Sequence, residues 1–108
     1  MTPPRFEFRA ELWLHTGEAA WYFVTLPTDV ADDIDEIDER AATGARGFGS
    51  VPVRVTVGAT TWDTSVFPDT TAGSFVLPVK KAVRAKEGLD EGAMVDICLE
   101  LRALSPPI

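Results

Sequence analysis

Three cations fall within one short run, Pro78-Val79-Lys80-Lys81-Ala82-Val83-Arg84. A helix starting there sets Lys80 and Lys81 in its first turn, where two ammonium groups oppose the positive end of the helix dipole. A local rule broken without evident gain often marks function. The free N–H groups of a helix start, two lysines and Arg84 together suit a phosphate or carboxylate. Arg54 would add a second guanidinium, Thr64 and Ser65 hydroxyl donors, and Trp62 a flat apolar wall. The competing explanation is structural: Glu87, Asp90, Glu91 or a separate acidic helix would neutralise these cations on an ordinary solvated surface.

Other chemistries find less support. Ser50, Ser65, Cys98 and His15 are the candidate nucleophiles and base, but no nucleophile, base and orienting group share a motif. Cys98 alternates with Asp96 and Glu100 on one strand face, and neighbouring carboxylates disfavour a thiolate. One cysteine and one histidine in the whole chain leave no intrachain disulfide and no zinc site of the usual kinds. The seven acids of residues 29–40, "DVADDIDEIDER", lack the glycine and loop of a calcium site and fit a solvated helix face. "GARGFGS" lacks a Lys-Ser or Lys-Thr pair and runs from helix to strand, so its glycines suit a turn better than a phosphate loop. No metal and no cofactor is expected.

Positioning these residues requires β structure. "FEFRAELWLH" alternates Phe6, Phe8, Ala10, Leu12 and Leu14 against polar neighbours, the period of a half-buried strand. "AWYFVTL" is aromatic and β-branched on both faces, which predicts a strand covered on both sides with Trp21 filling the interior. After Pro27 a helix follows with Val30, Ile34, Ile37 and Ala41 on one face and Thr28 or Asp29 as its cap. "VPVRVTV" buries Val51, Val53, Val55 and Val57, and "TTWDTSVF" returns across Gly58 and Ala59 as a hairpin. "GSFVL" is a strand; a helix near residues 79–87, with Val79, Ala82 and Val83 inward, ends at Gly88. "MVDICLELRA" closes the series with Val95, Ile97, Leu99 and Leu101 on one face. Trp13 falls on the polar face of its strand, and Trp62 shares a face with Thr64 and Val66; each suits either a contact surface or packing beneath a loop or helix.

Six strands and two short helices fit one domain over residues 1–108. "FVTLPTDV" and "SFVLPVKK" each lead a strand through Leu-Pro into a helix, then glycines, then an alternating strand, with Pro27 and Pro78 51 residues apart. Two such copies are too few for a solenoid. They predict a mainly β, closed six-stranded barrel of double-split type, built from pseudo-two-fold halves, since closure also removes exposed strand edges. The order strand, Leu-Pro, basic helix, glycine, strand resembles swapped-hairpin DNA-binding regulators of the AbrB type, in which two chains supply the halves.

"GFGSVPVRVTVGATTWDTSVFPD", "FVLPVKKAVRAKEGLDEG", "FEFRAELW" and "WYFVTLP" together resemble the domain-of-unknown-function family nineteen-oh-five, over nearly the whole chain. Its members occur alone or ahead of a bacteriocin-protection-type helical module. The resemblance implies a small closed β-barrel and no assigned biochemistry. Ala93 departs from the family pattern, in which an aspartate commonly follows the glycine, and this weakens any anion-handling role for that turn.

The chain has 108 residues and a formal net charge of -7, of which residues 29–40 supply -6, so acidity alone does not exclude an anion-binding face elsewhere. Apolar runs fall short of a membrane span and the first residues do not read as a signal peptide. A cytoplasmic location is therefore expected. The leading expectation is a non-enzymatic module, monomer or weak dimer, that binds a small anionic ligand or a partner protein through Arg54, Trp62, Thr64, Ser65, Lys80, Lys81 and Arg84. The alternative is a nucleic-acid-binding regulator of AbrB-like descent; a hydrolytic enzyme ranks last. Duplex DNA is not an expected partner, because the acidic helix would stand across the pseudo-two-fold from the basic one.

Overall fold

A computed structural model describes residues 4–17, 20–41 and 50–102, with the side chains of 38–41 excepted. The run 44–49, expected as a turn, lies outside the described residues, as does the side chain of Ala41.

The elements in chain order are β1 (Arg5–His15), β2 (Trp21–Thr25), α1 (Thr28–Ala41), β3 (Val51–Val57), β4 (Thr60–Asp69), β5 (Ser74–Pro78), α2 (Lys81–Glu87) and β6 (Met94–Leu101). The strands pair antiparallel in the cyclic order β1-β2-β5-β4-β3-β6, a closed six-stranded barrel made by one chain. Closure leaves these strands no free edge on which another chain could pair.

Alternation explains the walls. Val51, Val53, Val55 and Val57 of β3 and Val95, Ile97, Leu99 and Leu101 of β6 all point into the core, as their period of two requires. Leu12, Val24 and Leu77 form an inward row across β1, β2 and β5, and all three are fully buried. The β3–β4 hairpin turns through two residues, with Gly58 at a φ of 57° that favours glycine. A Cβ on Gly58 would also collide with the Glu87 carboxylate, which accepts a hydrogen bond from Thr60 Oγ1 at 2.6 Å. This contact docks the end of α2 against the hairpin.

The helices seal the core. Val30, Ala31 and Ile34 of α1 are buried in it and Ile37 packs on its edge, leaving Asp29, Asp32, Asp33, Asp35 and Glu36 exposed. From α2 it takes Val83. Here the structure corrects the expected helix. Lys80 is the N-cap, with an extended backbone (φ -71°, ψ 158°), and only Lys81 lies in the first turn. Val79 is buried but lies ahead of the helix rather than on a helical face, and Ala82, expected inward, is exposed. Gly88 ends the helix in the left-handed conformation (φ 65°), as expected.

Of two tryptophans, Trp62 takes the packed one of its two expected roles and Trp21 leaves its expected place. Trp62 is 9 % exposed and belongs to the core, whereas Trp21, expected to fill the interior, is 53 % exposed. The reason is register. Val55 faces inward and pairs with Trp62, while Trp21 pairs with outward-facing His15.

Candidate functional site

The outward faces of β1, β2, β5 and β4 carry apolar and aromatic side chains where polar ones are usual on a solvated sheet. Trp13, Phe23 and Pro78 form one row across β1, β2 and β5, and Thr25, Val76 and Phe67 form the next across β2, β5 and β4. His15 and Trp21 pair beyond them. The Trp13 and Phe23 rings lie 5.3 Å apart, Trp21 stacks parallel to Phe23 at 6.1 Å, and His15 meets both Trp13 and Phe23 at 6.3 Å. The Trp13 indole N–H donates to Thr25 Oγ1 at 2.9 Å, which fixes that ring in place.

These side chains bound a groove of about 870 Å³, with the β1–β2 rings on one side, Phe67, Pro68, Asp69 and Thr70 on the other, and Val76 and Pro78 between. Trp21 and Phe67, at 53 % and 44 % exposed, form its rims. Aromatic anchors clustered in one open groove are the composition of a contact surface. Sequence reasoning weighed Trp13 as one such residue. It missed Phe23, Phe67 and the outward position of Trp21, since the pairing register that gathers them spans four strands.

The expected anion-binding residues do not converge on one point. Trp62, Thr64 and Lys80 line a smaller cleft of about 240 Å³ with Trp21, Tyr22, Asp63, Pro78 and Val79. Arg54 and Ser65 project from the outer face of the barrel. Arg54 Nε donates to Asp63 Oδ1 at 2.8 Å, and Arg102 stands 3.7 Å from the other oxygen. Hydrogen bonding to Arg54 holds the Asp63 carboxyl below its ordinary pKa. The pair's contribution to stability is therefore present above the usual carboxylate range and fades as pH falls through the lowered value; solvent screening on the outer face keeps it small. Arg84 is occupied as well, its guanidinium 3.7 Å above the Tyr22 ring and its Nε donating to the Val79 carbonyl. Lys80 and Lys81 make no ion pair with a described residue.

The model of a family described as a domain of unknown function, DUF1905, matches residues 8–99, most of the chain. The chain belongs to the DUF1905 family. No curated protein matches it. In this DUF1905 domain the matched segment includes every described residue that lines the groove and nearly all of the barrel wall.

The remaining candidates are dispersed over the domain. His15 contacts only aromatic rings among the interactions of the described residues. Cys98 faces outward on β6 beside Arg5, whose Nε donates to its sulfur at 2.9 Å, a contact between chain ends that local spacing could not reveal. Among the described residues no three histidine, cysteine, aspartate or glutamate side chains gather to take a metal ion. No described helix is long and apolar enough to cross a membrane.

Proposed function

We propose that this DUF1905 domain is a non-enzymatic cytoplasmic binding module, monomer or weak dimer, whose ligand is a segment of a partner protein held in the aromatic groove. The observation that carries this is the exposure of Trp21 and Phe67 on opposite rims of one groove floored by Val76 and Pro78. Rings left in water on a small acidic monomer are an expense unless a partner covers them. Support for a non-enzymatic role comes from the separation of His15, Ser65 and Cys98 on different strands. Duplex DNA is outside this proposal, because Arg54 and Arg84 are already engaged and the chain's net charge of -7 opposes polyphosphate.

Peptide display against the wild-type domain, followed by affinity measurement on the Trp21→Ala/Phe67→Ala variant, tests the groove. Selected peptides should bind the variant at least about tenfold more weakly, as expected for loss of two aromatic anchors. Equal affinity for both proteins, or no enrichment at all, would remove the groove from consideration.

A second site reading, a small anion in the cleft at Lys80, draws support from the meeting of Trp62, Thr64 and Lys80 and from the unpaired state of Lys80 and Lys81 among the described residues. Asp63 in the same cleft opposes it. Sulfate or phosphate should then raise the melting temperature of the wild type and do so much less in Lys80→Ala/Lys81→Ala. The same rise in both proteins would mean general salting-out alone.

A further inference from the structure

With the groove as the binding site, an assignment on which the inference rests, its chemistry narrows the partner. We infer that the groove takes a proline-rich segment in the polyproline II conformation, carrying an arginine or lysine beside its prolines. Four observations lead there. The barrel is closed, so the described strands offer no edge for a peptide to extend a sheet. Among the described residues no lysine or arginine lines the groove, so a phosphorylated or acidic segment would meet no counter-charge. The rims stand about half exposed, whereas a small-molecule pocket encloses most of its ligand. The lining itself is aromatic: the parallel Trp21 and Phe23 rings, with Trp13 tilted beside them, form rigid apolar walls that suit a ligand with rigid, apolar, ring-shaped side chains.

A polyproline II segment satisfies these conditions. It has no internal hydrogen bonds, loses little conformational entropy on docking, and leaves its carbonyls free to accept. The Trp21 indole N–H has no hydrogen-bond partner among the described residues, and the side chain is 53 % exposed where it lines the groove, so this donor is free for such a carbonyl. Trp13, whose N–H is held by Thr25, supplies only apolar ring surface.

The basic residue of the partner answers Asp69, the only acid lining the groove among the described residues. Its Oδ1 accepts the backbone N–H groups of Thr71 and Ala72 at 3.1 and 3.4 Å, which fixes the carboxylate and leaves Oδ2 to pair with a guanidinium or ammonium. The negative net charge of the domain favours approach of the same cation.

Three synthetic peptides titrated into the ¹⁵N-labelled domain test this, with the indole N–H signals of Trp13 and Trp21 as the readout. One is proline-rich with a single arginine; the second replaces that arginine by aspartate; the third keeps the arginine in a proline-free amphipathic helical sequence. The first should shift the Trp21 signal saturably. The second should bind about tenfold more weakly, and Asp69→Asn, which keeps the turn acceptor, should abolish most of that preference. Equal binding of the first and third peptides, or tighter binding of the third, would overturn the proline-rich partner while leaving the groove as the site. If none of the three binds but displayed peptides of other composition do, the partner class is wrong and the site stands. If neither these nor displayed peptides bind, both fail.

Discussion

Trp62→Ala will destabilise the domain by about 3–5 kcal/mol, the usual cost of truncating a large aromatic in a packed core. Trp62 is 9 % exposed, faces inward opposite Val55, and belongs to the same core cluster as Val53, Leu99 and Leu101. A chain of this size is stable by only about 5–15 kcal/mol, so the variant should lose a large part of its margin and melt far below the wild type. Trp21→Ala, on the outer face and 53 % exposed, should shift stability by less than about 1 kcal/mol. Urea titration of both variants beside the wild type measures the contrast. A Trp21 variant as unstable as the Trp62 variant would mean that the outer face is covered, and would count against the groove as a free surface.

Trp21 and Trp62 also show where sequence reasoning reaches and stops. On β3 and β6 a valine, isoleucine or leucine recurs at every second position, so the inward face is plain from spacing alone, and the two Leu-Pro steps mark where strands give way to helices. β2 offers no such parity, because Trp21, Tyr22, Phe23 and Val24 are all apolar or aromatic, so its pattern does not say which ring points inward. For Trp62 the information was present. A two-residue turn at Gly58 and Ala59 places Val55 opposite Trp62, and cross-strand partners share a face. Since Val55 points inward, so must Trp62.

The groove had no comparable signal. Its rows join β1 to β2 across a five-residue connection and β2 to β5 across about half the chain, and no local pattern states those registers. Lys80 and Arg84 part for a smaller reason. Their directions depend on which residue starts α2, and a displacement of that start alters which faces they share. With Lys80 as an extended cap, it points into a cleft with Trp62 and Thr64, while Arg84 reaches back over Tyr22.

Ile34→Ala should destabilise the domain by about 2–5 kcal/mol, although it lies in the most acidic stretch of the chain. Ile34 is fully buried, flanked on its helix by buried Val30 and Ala31 and half-buried Ile37, and through them α1 packs onto the barrel core. The acids on the opposite face repel one another and contribute no packing, so helix propensity alone would not hold α1 in place. Asp35→Ala is the matched control: it removes one exposed carboxylate from a crowded face and should leave stability unchanged or raise it by a few tenths of a kcal/mol. Thermal melts at low and high salt separate the two effects. Screening should narrow the difference between Asp35→Ala and the wild type but leave the Ile34→Ala deficit intact, because that deficit arises from apolar contact rather than charge. An Ile34 variant as stable as the wild type would mean that α1 is not part of the core, and that the barrel stands without it.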